Sequence, residues 1–322
     1  MRSFISGAIV AALCGIAAPA FAATDYPKQT IEIIVPFTAG GNTDLIARLI
    51  AERMQASFKE PVTVLNRPGG GMNIGSASVA NSKPDGYTML LAAPGSFVIN
   101  QFIYTKLNYD PDTAWAPVSL VARFPNVLVA YPSFGVKTIQ ELIAKAKTLP
   151  GKINYATAGV GATSHLSGAL FAEMAGIDAN AIPYRGTSQS IQDVIAERIP
   201  YTIDNLGPIL PFIKSGQLVA LGVSTAGPVS LLPDVPPIGH VLKGYSLSSW
   251  NVLAMPAGTP KEIVEKVSAE VNRIVHLPDI AEKMRSFGSE PVGGTPDDAV
   301  AFLKNERGVW EAAVKAAKIP KQ

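Results

Sequence analysis

Ile31-Glu32-Ile33-Ile34-Val35-Pro36-Phe37-Thr38-Ala39-Gly40-Gly41-Asn42-Thr43-Asp44 is the stretch that decides the fold. Its first seven residues are mostly β-branched or apolar and predict a buried strand, Ile31 to Phe37. Thr38 to Gly41 is a turn of small residues. From Asn42 to Phe58 the apolar residues Leu45, Ile46, Leu49, Ile50 and Met54 fall on one helical face. Strand, turn and helix in that order form the unit of an α/β protein with right-handed crossovers. Exposed N–H groups at a helix N-terminus attract anions, and side-chain-free glycines let a ligand approach them, so Thr38 to Asn42 is a candidate anion site. The plainer alternative is a tight turn with Asn42 as a helix cap.

The same alternation runs on in both directions from this unit. Val62 to Leu65 and Tyr87 to Ala92 read as strands, with a short helix at Asn73 to Val79 between them. A second series begins near residue 126. Its predicted strands are Asn126 to Ala130, Lys152 to Ala156, Ala181 to Tyr184, Tyr201 to Ile203 and Leu218 to Ser224, with helical patterns in the intervals. A strand at Leu247 to Met255 and helices at Pro260 to Val275, Pro278 to Phe287 and Pro296 to Ala317 close the chain. Each of these helices opens with Pro, whose fixed φ suits the first helical position. Mostly parallel strands in two sheets are expected, the second sheet inserted between two parts of the first. The domains are then 23–124 plus 248–322 and 125–247, with a hinge near Arg123 to Pro125 and Tyr245 to Trp250 and a cleft between them. Tyr104, Tyr109 and Trp115 are expected to pack the segment leading into that hinge.

Ligands of α/β sheets bind at the C-terminal ends of the strands. Besides the first loop, candidates are Thr157-Ala158-Gly159-Val160-Gly161-Ala162-Thr163-Ser164-His165, Tyr184-Arg185, and Asp204-Asn205. The 159–164 spacing approaches a dinucleotide fingerprint but lacks its third glycine, and a carboxylate at the helix N-terminus needs no cofactor. Arg185 either pairs with a carboxylate ligand or holds Asp204. The glycine-dense run Asn66 to Asn73 has no following Lys-Ser or Lys-Thr and is not a nucleotide P-loop. His165, His240 and His276 are scattered, and neither H-E-x-x-H nor G-x-S-x-G occurs, so catalytic constellations are thin.

Composition narrows the class further. The chain has 322 residues, 48% of them apolar, with 27 Lys plus Arg against 25 Asp plus Glu, which supports real cores and excludes disorder. A formal net charge of +2 without a basic run argues against a nucleic-acid partner. Arg2, the apolar stretch Ile5 to Ala18 and the A-x-A pattern at Ala20 to Ala22 predict a signal peptide over residues 1–22 and an exported, soluble mature protein. Cys14 lies inside that segment, so the mature chain has no thiol, disulfide or cysteine-ligated metal. A monomer without cofactor or metal is expected.

The ordered motifs resemble a known family. They are Tyr26-Pro27-Lys28, the stretch from Ile33 to Gly41 with Asp44, Ala47 and Arg48, Asn66-Arg67-Pro68-Gly69, and Pro84-Asp85-Gly86-Tyr87-Thr88. Thr157-x-Gly159-x-Gly161, Pro183-Tyr184-Arg185-Gly186, Asp204-Asn205 and Pro256-Ala257-Gly258-Thr259-Pro260 continue the series. Together they are similar to the solute-binding proteins of tripartite tricarboxylate transporters, the Bug family. That resemblance implies a periplasmic two-domain Venus flytrap of the type II periplasmic-binding-protein class, which closes on a small organic carboxylate and delivers it to a membrane permease. Phe37, Thr38, Ala39, Gly40, Gly41, Asn42 and Asp44 would then hold the ligand from one domain. Thr157, Ala158, Gly159, Gly161, Ala162, Thr163 and His165 would meet it from the other, with Pro94, Gly95, Ser96, Tyr184, Arg185 and Asp204 as walls. Asn42 stands where family members often have a smaller or different residue, and Ala162 where many have Ser. A dicarboxylate, aliphatic or aromatic, is the leading expectation. The alternatives are an exported hydrolase or isomerase using Asp204 and His165, and a sensory binding protein for a membrane kinase.

Overall fold

The computed structural model describes residues 25–149, 153–184 and 186–322. The signal peptide and Arg185 of the preceding section therefore lie outside the described residues. The chain runs β1 (Ile31–Val35), α1 (Asn42–Phe58), β2 (Val62–Asn66), α2 (Asn73–Ala80) and β3 (Thr88–Ala92), followed by a π-helical turn (Gly95–Ile99) and the short α3 (Asn100–Ile103). Next come β4 (Trp115–Ala130), α4 (Ile139–Lys147), β5 (Ile153–Thr157), α5 (Thr163–Ala175), β6 (Ala179–Pro183), α6 (Thr187–Ile195), β7 (Tyr201–Asn205), α7 (Leu206–Lys214) and β8 (Val219–Val223). The chain finishes with β9 (Ser248–Pro256), α8 (Lys261–Val275), α9 (Pro278–Ser286), β10 (Glu290–Gly293) and α10 (Pro296–Ala317).

The fold is α/β, but one strand departs from the expected pattern. β4 is three times the length expected for it, and it belongs to both halves of the sheet. Its first part, Trp115 to Pro125, pairs antiparallel with β9, and its second part, Asn126 to Ala130, pairs antiparallel with β7 and β8. The change of partner falls at Pro125-Asn126, where proline has no N–H to give to a ladder. Among the named strands of the described residues, parallel pairing is confined to β1 with β2 and β3, and to β5 with β6 and β7. The mostly parallel expectation is thus corrected: the strands that carry the chain between halves are all antiparallel.

Four apolar layers cover the two half-sheets. In the first half, one face is closed by α1, α8 and α9 through residues such as Ile46, Met54, Val267 and Met284. The other is closed by the π-helical turn and α10 through Phe97, Val98, Trp310 and Val314. Leu166 of α5 joins this second layer, so the two halves share core. In the second half, α4 and α5 cover one face and α6 and α7 the other. The Glu306 carboxylate of α10 accepts the indole N–H of both Trp250, at 2.7 Å, and Trp310, at 2.8 Å, tying the helix to the crossing strand β9. Pro278 and Pro296 take the first helical position as expected, whereas Pro260 lies one residue before α8.

Candidate ligand-binding site

The loop from β1 to α1 is shaped by one carboxylate. Asp44 is buried, and both of its oxygens are used. Oδ2 accepts the Gly40 N–H at 2.9 Å and Arg48 Nε at 3.0 Å, while Oδ1 accepts Arg48 Nη2 at 3.0 Å and Asn66 Nδ2 at 2.9 Å. Asn66 Nδ2 also lies 3.1 Å from the Phe37 carbonyl oxygen, so the end of β2 is fastened to the loop. Burial by itself raises the Asp44 pKa, but Arg48, the Gly40 N–H and Asn66 outweigh it and hold the carboxyl below its usual range. Gly40 sits at φ +86°, a conformation that glycine adopts without steric cost. Thr38, Ala39, Gly40 and Gly41 are exposed, while the Phe37 ring packs against the first core layer.

At the start of α1 the expected Asn42 cap is absent. Gly41 occupies the cap position without a side-chain bond, and Asn42 Nδ2 donates instead to the Phe287 carbonyl at 3.4 Å. The first N–H groups of this helix therefore have no side-chain acceptor, a local field that favours an anion. α2, α3 and α5 to α9 likewise begin without a side-chain cap, whereas Thr138 and Thr295 cap α4 and α10.

The second loop joins β5 to α5 and is held by its own side chains. Thr157 Oγ1 accepts the Gly159 N–H at 3.2 Å, and Ser164 Oγ accepts the Ala158 N–H at 2.9 Å. The Gly161 N–H points at His165 Nδ1, 3.2 Å away, which leaves the ring proton on Nε2. Burial lowers the His165 pKa, so the ring stays neutral at neutral pH. Ala162 takes the cap position and Thr163 starts the helix. Gly161 has φ +73°, and a Cβ there would come within 2.8 Å of Ile103 Cδ1 in the first half.

The expected walls divide into several groups. Tyr184 adjoins the second loop through its N–H to the Thr157 carbonyl, at 2.9 Å, but its hydroxyl is spent on Asp193 at 2.6 Å. Burial and the Asp193 carboxylate push that phenol up to about 12. Pro94, Gly95 and Ser96 are buried, Gly95 against Met72, and Ser96 Oγ accepts from Ser76 at 2.8 Å, so these three expose no polar wall. Asp204 is 1% exposed; its Oδ1 accepts the Asn205 N–H at 2.7 Å, and its Oδ2 has no hydrogen-bond partner among the described residues.

Two contacts bring the halves together at these loops. A Cβ on Gly207, at the start of α7, would lie 2.1 Å from the Phe287 carbonyl and 2.8 Å from the Asn42 amide, so α7 meets α1 with no room for a side chain. Gly161 meets Ile103 in the same way. Sequence reading missed Arg48 and Asn66 as the clasp of the first loop, and missed Gly207. The four-residue spacing of Asp44 and Arg48 was a usable signal for the first of these.

No Asp204–His165 hydrogen bond forms. Asp204 faces Thr187 on the α6 side of the half-sheet, while His165 lies on α5 with Nδ1 already engaged. Among the described residues, no group of three or more His, Cys, Asp or Glu is placed to hold a metal, and no helix is long and apolar enough to cross a membrane.

Comparison with known proteins agrees with this geometry. Residues 46–319 match the model of the tripartite tricarboxylate transporter family receptors. Protein BugT of Bordetella pertussis is 33% identical over 311 residues, covering 95% of this chain and 94% of its own. The structure of Rpa4515 from R. palustris with adipate is 35% identical and superposes with a TM-score of 0.87 over 92% of this chain and 100% of that one. MatC from Rhodopseudomonas palustris with bound malate is 28% identical, with a TM-score of 0.82 over 90% of this chain and 100% of that one. A family match over most of the chain, on a fold shared with solute-binding proteins, identifies the chain as a Bug-type member of the tripartite tricarboxylate transporter receptor family.

Proposed function

We propose that the protein is a periplasmic receptor that captures a small organic carboxylate between its two halves and delivers it to the permease of a tripartite tricarboxylate-type transporter. The observation that carries this reading is the pair of helices, α1 and α5, that begin without side-chain caps on opposite halves behind glycine-containing loops. A carboxylate removed from water needs several donors. Neutral N–H groups at two helix N-termini supply them without a buried cation. Neighbouring structures with adipate and malate support a dicarboxylate.

In this reading, residues 23–124 with 248–322 and residues 125–247 move as two bodies about the crossings of β4 and β9. Thr38 to Asn42 hold the ligand from the first body and Ala158 to Thr163 from the second. Asp44 positions its loop and leaves the ligand contacts to the backbone. Closure follows because contacts to both loops exist only when the halves are shut, so ligand shifts the equilibrium by its differential affinity. The test is a thermal-shift series on the mature protein with mono-, di- and tricarboxylates, followed by recovery of the ligand. A raised melting temperature with dicarboxylates, and ligand recovered intact, is the expected outcome. Absence of any shift, or consumption of the ligand, overturns the proposal.

A further inference from the structure

The end of β7 holds a feature that carboxylate capture alone does not use. Asp204 is enclosed by protein, with one oxygen bonded to the Asn205 N–H and the other unpartnered among the described residues. No described cation forms an ion pair with it. The described group that lowers its pKa besides that N–H is the Thr187 hydroxyl at the start of α6. A carboxylate, unlike an amide, has acceptors alone, so no rotation of the side chain supplies the missing donor. A buried acceptor left unpaired is costly and persists where a ligand completes it.

Its position fits that use. β5 and β7 run parallel with Tyr155 opposite Tyr201 and Ala156 opposite Thr202, so Asp204 stands level with Ala158 at the mouth of the second loop. Three residues further on, Gly207 is covered by Asn42 and Phe287 of the first half. In the two-body reading above, parting of the halves would free the Gly207 end of this segment from Asn42 and Phe287.

We propose that Asp204 determines specificity by accepting a hydrogen bond from a hydroxyl or ammonium substituent on the ligand, so that the receptor prefers hydroxy- or amino-dicarboxylates to the unsubstituted acids. This rests on the carboxylate-receptor reading above. A second carboxylate is disfavoured there, because two ionised groups would share a site without water. Burial pushes the Asp204 carboxyl up to about 6, outweighing the Asn205 N–H and the Thr187 hydroxyl that lower it.

The experiment is titration calorimetry of the full mature chain near neutral pH with matched sets: succinate, malate and aspartate, then glutarate, 2-hydroxyglutarate and glutamate. In the parent protein a substituted acid should bind at least about tenfold more tightly than its unsubstituted partner. Asp204→Leu, close in shape and without an acceptor, should bring the members of a set to within about twofold while leaving the unsubstituted acid within about threefold of its parent affinity. Asp204→Asn keeps the test open if the leucine variant does not fold, and should abolish the ammonium preference first. Equal binding across each set in the parent, or an equal loss for all members in the variants, overturns the proposal and leaves the carboxylate reading standing. No binding of any carboxylate overturns both.

Discussion

Asp44, in the first turn of α1, and Asp204, near the end of β7, are both buried carboxylates, and they are built in opposite ways. Asp44 receives four hydrogen bonds from three residues, and its carboxyl is held below the usual range. Among the described residues Asp204 accepts one backbone bond and its second oxygen is unpartnered, and burial, outweighing that bond and the Thr187 hydroxyl, raises it to about 6. A carboxylate saturated by its own chain is a structural clasp with nothing left for a ligand. A carboxylate left short of donors in a dry site has recognition capacity that the fold does not consume. Residue type and burial are the same in both cases, so the number of donors around each group is what separates their roles.

The strongest way to break this contrast is Asp44→Ala. It leaves Arg48, Asn66 and the Gly40 N–H without their acceptor, and should destabilise the protein by about 2–4 kcal/mol. For a chain of this size that is a fall of roughly 3–6 °C in melting temperature by calorimetry. A fall below about 2 °C would mean that the clasp does not hold the loop. Gly207→Ala comes next, since its Cβ meets the Phe287 carbonyl. Wedging α7 away from α1 should weaken ligand binding about tenfold, or about 1.4 kcal/mol, with little change in the unliganded melting point.

A smaller effect sharpens the comparison through its sign. Asp204 holds its proton to about pH 6 in the folded chain against an ordinary 3.8, so its contribution to stability is whole below the ordinary value and is lost as pH rises through about 6. Asp204→Asn should therefore gain stability relative to the parent between about pH 4.5 and 7, by about 1 kcal/mol. Asp44 runs the other way: its contribution is present above the ordinary carboxylate range and fades in acid, so the penalty of Asp44→Asn should shrink as pH falls. Parallel pH slopes for the two variants in denaturant titrations would erase the distinction. The smallest change is Arg48→Lys, which gives up the two-pronged bond to Asp44. With Arg48 half exposed, about 0.5–1 kcal/mol is the expected loss.

How much of this was legible depends on the distance over which the signal acts. β1, its loop and α1 were readable because alternation, glycines and a helical stripe are local; α1 spans Asn42 to Phe58 as the spacing predicts. β4 was cut to its last five residues, since Pro117 and Pro125 read as breaks when they only mark where the ladder shifts or changes partner. β10 was missed for a similar reason, because Pro291 and Gly293 hide a short strand that exists by pairing with β4. Among the site residues, the loops were visible as glycine-bearing strand ends. The fates of Ser96 and Tyr184 were not, because each is decided by a partner, Ser76 or Asp193, that no spacing rule connects to it.

The shared strand β4 also sets the order in which the molecule can be built. β3 finds its antiparallel neighbour only in β9, where Leu90 lies beside Ala254, and β4 needs the same strand along most of its first part. The sheet of the first half cannot close until the whole second half has been made, so its decisive contacts are among the most distant in the chain. Such pairings form slowly, because loop entropy is spent before they return anything. The amino-terminal third therefore gains its last strand partner only after residues 248–256 have been made.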